Sequence, residues 1–157
     1  MRVSRWLLIR LVATTIVIGC GSKDETTGPV DDLAVGTIVA RIDGADWITT
    51  NAIAIYPSGR LVATGNGSNG LTFGFGVSAQ APGTFTVGGT GNASGTLTDA
   101  SSTVWEAAVS GGSGSVTISS FSANEVSGTF SFTLVRTQGS STPSTRVVTN
   151  GRFRVRY

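Results

Sequence analysis

Three stretches of the chain set apolar and polar side chains on alternate positions, and that period of two decides the fold class. Leu71, Phe73, Phe75 and Val77 share one side of a run whose other side is Thr72, Gly74 and Gly76. Phe130, Phe132 and Leu134 alternate with Thr129, Ser131 and Thr133. Phe153, Val155 and Tyr157 alternate with Arg152, Arg154 and Arg156. Successive side chains of a strand point to opposite faces, so each run offers one face to a core and one to water. Antiparallel sheets that are wet on one side read this way. After the N-terminal segment no window carries apolar residues at the helical spacing i, i+3, i+4, i+7.

Short β-rich runs separated by Gly, Ser, Asn and Pro predict about ten strands. They fall at residues 36–42, 50–56, 60–64, 71–78, 83–87, 95–98, 103–109, 115–119, 126–136 and 146–157. The fold class is therefore all-β, an antiparallel β-sandwich or a flattened barrel. Gly74 and Gly76 read as points of sheet curvature, or as a flat face open to a ligand. Two turns compete near the C-terminus. Asn150-Gly151 is a strong two-residue hairpin pair. The stretch 137–144 (TQGSSTPS) instead joins two runs of matched length, and Pro143 suits a loop. The second turn is preferred, with Gly151 as a bulge.

The N-terminus follows other rules. Arg2, Arg5 and Arg10 lead into an uncharged run at 11–18 (LVATTIVI). The apolar stretch is shorter than the ~20 residues a spanning helix needs, and fits a secretory signal. It ends in Val17-Ile18-Gly19-Cys20, and Cys20 is the only Cys of the chain. This tetrad resembles the bacterial lipobox. The resemblance implies cleavage between Gly19 and Cys20 and a lipid on Cys20. A diacylglyceryl group has two acyl chains, enough for stable anchoring. The expected organisation is a signal peptide at 1–19, a lipidated Cys with a flexible tether at 20–34, and one β domain at 35–157. The expected location is the cell envelope, at the outer membrane, facing the periplasm or the surface.

Charge divides along the same boundary. Without residues 1–19, eight basic residues face nine acidic ones. The domain holds seven Arg and five acids: Asp43, Asp46, Asp99, Glu106 and Glu125. The other acids lie in the tether (GSKDETTGPVDDLA). A charged fraction of 13%, low for a soluble protein, argues against a nucleic-acid partner.

Little in the chain points to chemistry. There is no His, hence no Ser-His-Asp triad and no imidazole metal site. One Cys excludes an internal disulfide and a thiolate zinc site. Gly65 to Gly70 spells G-x-G-x-x-G, but a strand-like run follows where a nucleotide site needs a helix, so a hairpin loop is expected. Asp43-Gly44 reads as a turn pair rather than part of a Ca²⁺ loop. Trp47, Trp105, Tyr56 and Tyr157 read as core, with a sugar-stacking platform as the alternative. No catalytic residue, metal or cofactor is expected. Arg152, Arg154 and Arg156 form a one-sided stripe, a candidate anion-binding site or simply a solvated face.

Five blocks carry a family resemblance: ARIDGADW (40–47), PGTFTV (82–87), GSVTISSF (114–121), VSGTFSFTL (126–134) and VTNGRFRVRY (148–157). Together they resemble a group of small bacterial envelope lipoproteins carrying an all-β domain of unknown function. The resemblance implies an envelope lipoprotein and brings no activity, catalytic residue or cofactor. The expected role is a non-catalytic binding or structural module, held to the membrane through Cys20, with an envelope glycan, lipid or protein as partner. The alternative is a lipocalin-like or glycan-binding carrier of a small ligand.

Overall fold

The computed structural model describes residues 32–89 and 92–157. The expected signal peptide, Gly19, Cys20 and most of the expected tether lie outside the described residues. Eleven strands form one sheet: β1 (Thr37–Ile42), β2 (Ala45–Thr49), β3 (Ile53–Ile55), β4 (Arg60–Asn66), β5 (Thr72–Ser78), β6 (Gly83–Thr86), β7 (Ser94–Thr98), β8 (Val104–Glu106), β9 (Ser113–Phe121), β10 (Glu125–Gln138) and β11 (Thr145–Arg156). Every ladder between them is antiparallel. A single 3-10 turn spans Pro57–Gly59.

Two strands differ from the sequence expectation. The run at 50–56 shortens to the three-residue β3, and a strand that the runs above do not include, β2, lies ahead of it, with residues 50–52 between the two. Asp43 and Gly44 both take positive φ, 52° and 82°, which is the two-residue hairpin turn that matches the twist of its strands. That turn puts β2 directly after β1. The run at 103–109 shortens to Val104–Glu106, because the chain turns away at Ala107 and folds Gly112 tightly over its backbone.

The path of the sheet is β2-β1-β11-β10-β8-β7-β5-β4-β3, with β9 and β6 branching from β10. β10 makes the fork. Val126 to Thr133 pair with β9, whereas Val135 to Gln138 pair with β8. The path begins at β2 and ends at β3, which are neighbours in the chain, so the sheet curls to bring its ends together. Rings from facing wings then meet without a ladder between them. Phe73 of β5 stacks on Phe130 of β10 at 5.0 Å, and Phe75 meets Phe153 of β11 at 4.7 Å. Trp47 closes on the edge of Phe73 at 5.8 Å. The shape is a curled half-barrel filled with aromatic and aliphatic side chains.

The C-terminal hairpin folds at the 137–144 turn, so that β10 and β11 pair along their length. Phe130 lies opposite Gly151 and Phe132 opposite Val148, which leaves one extra residue in β11. β1 sees the same extra residue between Val39 and Arg41. Asn150 takes it up at φ 52°, and Gly151 follows beneath the Phe130 ring, where a Cβ would lie 2.4 Å from ring carbons. The bulge therefore sits at Asn150-Gly151, and Gly is needed there for close approach.

Candidate functional site

The Arg stripe rises from the face of β11 opposite its core residues Phe153 and Val155. Its three members have different surroundings. Arg152 lies between Val39 of β1 and Thr129 of β10, and is only 6% exposed. Arg154 Nε donates to Glu125 Oε1 at 2.7 Å, and its Nη1 donates to the Leu33 carbonyl at 3.3 Å. Arg156 Nη2 stands 3.7 Å from Glu125 Oε2, with its side chain 60% exposed. One carboxylate thus serves two guanidinium groups, and exposure rises toward the chain end. Alternation alone had not pointed to Glu125 as counter-charge. Counting register back from the 137–144 turn does, since it sets Glu125 opposite Arg156.

Two of the other acids of the domain, Asp43 and Asp99, are engaged in turns. Asp43 accepts from Arg146 Nη1 at 2.7 Å and from the Val147 amide at 2.8 Å, tying the β1–β2 turn to β11. Arg146 also lies over the Trp105 ring at 4.8 Å. Asp46 pairs with Arg41 at 3.0 Å. Asp99 accepts from the Ser101 hydroxyl and from the Ser101 and Thr103 amides. Those bonds, the Ser101 hydroxyl foremost, hold its carboxyl down at about 2, although desolvation opposes them. Ser101 and Thr103 both reach Ser141, so the loop after β7 is latched to the β10–β11 turn. Among the described residues no group of three or more His, Cys, Asp or Glu is placed to hold a metal ion.

The aromatic residues divide by burial. Trp47 and Trp105 are core, each with its indole N–H donated to a carbonyl, Leu71 at 3.1 Å and Pro143 at 2.9 Å. Tyr56 and Tyr157 are half-buried, meet at a tilt with ring centres 4.9 Å apart, and donate their hydroxyls to the carbonyls of Ala79 and Ser122. Residues 67–71 form the loop between β4 and β5, and the Trp47 indole lies on Gly67 where a side chain would clash. Gly76 has a comparable role on the outer face of β5. Its missing side chain admits the Arg60 guanidinium, which donates to Ser94 Oγ at 2.9 Å and to the Asn92 carbonyl at 3.0 Å. An open recess of about 240 Å³ remains over Gly74 and Gly76, and another of about 480 Å³ lies between Ile48, Asn51 and Asn66.

These features define an all-β domain of one curled antiparallel sheet, with an aromatic core and an Arg-bearing terminal strand. Residues 35–155 match the family described as a domain of unknown function, DUF6252, and the chain belongs to that family. No curated protein and no solved structure matches the chain.

Proposed function

We propose that this protein is a lipid-anchored component of the bacterial cell envelope whose β domain acts as a non-catalytic binding or structural module. The observation that carries the reading is Val17-Ile18-Gly19-Cys20, the only Cys of the chain, placed at the end of an Arg-led apolar run. The family match begins at residue 35. That leaves a polar lead from Gly21 to Ala34, which reaches at most ~45–50 Å when extended. Such a lead suits a domain held off a membrane by its own N-terminus.

The packing favours a module over a carrier. A carrier needs an enclosed apolar pocket with a few convergent polar groups. Here Phe73, Phe75, Phe130, Phe132 and Phe153 fill the space between the wings. Metabolic labelling with a fatty-acid analogue tests the anchor. Wild type should take up label and Cys20→Ala should not; equal label on both would overturn the reading.

A further inference from the structure

Exposed large apolar side chains gather at one corner of the sheet. Among the described residues they are Val35, Ile48, Ile53, Ile55 and Val147, and all but Val147 lie within residues 35–55. Ile53 and Ile55 are 69% and 55% exposed. They face outward from β3, where the path of the sheet ends, while Ala54 between them packs on the core. On β4, Ile53 stands opposite Thr64 and Ile55 opposite Val62. From Val62 the row runs on to Gly76 of β5 and Ser94 of β7. Edge strands of soluble domains are commonly guarded by a charge or a Pro, and β3 (IAI) has neither. The chain enters the domain at this same corner. The Ala52 amide donates to the Gly36 carbonyl at 2.8 Å, so Val35 and Ile53 each lie one residue from that bond.

Charge is sparse on this wing. From Trp47 to Thr98 the only charged side chain is Arg60. Its guanidinium lies over Gly76 on the same outer face, held by the neutral acceptors Ser94 Oγ and the Asn92 carbonyl. The first acid across that face is Glu106 of β8, beside Thr96 and about 19 Å from β3 at the usual strand spacing. We propose that the outer corner of β3 and β4, with Ile53, Ile55, Val62 and Arg60, lies against the bilayer that carries the Cys20 lipid. The isoleucines enter the boundary between headgroups and acyl chains, and Arg60 donates to lipid phosphates. A face without carboxylates is not repelled by anionic headgroups. The inference rests on the anchor reading. The lead from Cys20 to Val35 reaches at most about 55 Å. A lipid on Cys20 therefore holds this corner beside the membrane at high effective concentration, where a patch too weak to bind lipid alone stays engaged.

The acylated full chain in lipid vesicles tests it. The mass of the N-terminal peptide reports independently whether Cys20 carries lipid. Cys20 is the only native Cys, so once its sulfur is blocked by lipid, Ile55→Cys offers one thiol to a polarity-sensitive fluorophore. Ile53→Cys is the second position if the first fails to fold, and Ser131→Cys, exposed on β10, is the control. The vesicles hold phosphatidylcholine and about one third phosphatidylglycerol, with brominated acyl chains as quencher. Quenching at 53 or 55 should exceed that at 131 at least about threefold. Arg60→Gln should lower that excess at low salt. Lipid on Cys20 with equal quenching at every position overturns this proposal and leaves the anchor standing, whereas absence of lipid on Cys20 overturns both. Emission at 55 that shifts with protein concentration but not with quencher puts a second copy of the chain on this edge, and also overturns the proposal.

Discussion

Phe73 is the residue on which the two wings of the sheet close, and its truncation should be among the most damaging single changes. It is fully buried. It stacks on Phe130 at 5.0 Å, meets Phe132 at 6.1 Å across the fold, and receives Trp47 edge-on at 5.8 Å. Phe73→Ala removes a ring from a site that backbone ladders on both sides keep from collapsing, since β5 pairs with β4 and β7. Buried Phe→Ala changes cost about 3–5 kcal/mol, and poor collapse favours the upper end. Each aromatic pair adds about 0.5–1.5 kcal/mol beyond area, though three pairs around one ring do not sum. A loss of about 4–5 kcal/mol is a large share of a stability of about 5–15 kcal/mol. At about 4 °C per kcal/mol for a domain of this size, the melting temperature should fall by roughly 16–20 °C. Urea denaturation followed by Trp fluorescence reports directly, because Trp47 touches the ring. Phe73→Leu keeps most of the volume and should cost less than half as much. A loss below about 1 kcal/mol for Phe73→Ala would refute the view that this cluster holds the wings together.

Three further outcomes are expected. The Asp99 carboxyl titrates at about 2 in the fold against an ordinary 3.8. The unfolded chain therefore takes the proton first as pH falls, so the stabilising contribution is complete above about pH 4 and gone below about pH 2. Denaturation midpoints between pH 5 and 2 should fall less steeply for Asp99→Asn than for wild type; parallel curves would dismiss the latch. At the bulge, Asn150→Gly should be nearly neutral, whereas Asn150→Val should cost about 1–2 kcal/mol, because a β-branched residue is strained at φ 52°. Thermal melts of the pair decide this, and equal melting temperatures would argue against the left-handed bulge. Gly151→Ala should cost about 1–3 kcal/mol by pressing a methyl into the Phe130 ring, and an unchanged melt would mean that the ring moves aside freely.

What was legible in the sequence, and what was not, follows from range. Phe73, Phe75, Phe130, Phe132, Phe153 and Val155 are buried as alternation predicts, because the period of two is a local property of each strand. Asp43-Gly44 is a turn, the 65–70 stretch opens in the β4–β5 ladder at Gly65 and Asn66 and then turns as a hairpin loop, and β10 pairs with β11 across the 137–144 turn. β2 escaped because Ile48 stands beside Asp46 on its outward face, so ADWIT lacks a wholly polar face. The signal was there in another form, since a two-residue turn at Asp43-Gly44 demands a strand on both sides. The overlong reading at 103–109 failed for the opposite reason. Ala107 is apolar and buried like a strand residue, but what buries it is a tight turn onto Gly112.

The Arg stripe shows where local pattern stops. Alternation correctly put Arg152, Arg154 and Arg156 on one face, and it could go no further, because a face is not an environment. Whether an outward side chain meets water depends on what else the fold brings over it. β10 decides that by forking: its first half holds β9 and β6 beside β11, while its second half turns into the β8–β7–β5 wing. The stripe is thus set in the interior of a sheet, two strands from the edge at β2, where a charged strand would have been read as edge protection. An Arg in mid-sheet is not there to prevent pairing, since both its neighbours are already paired. Above the sheet, Glu125 pairs with both Arg154 and Arg156. The remaining acids of the domain are spent on turns or lie on other strands.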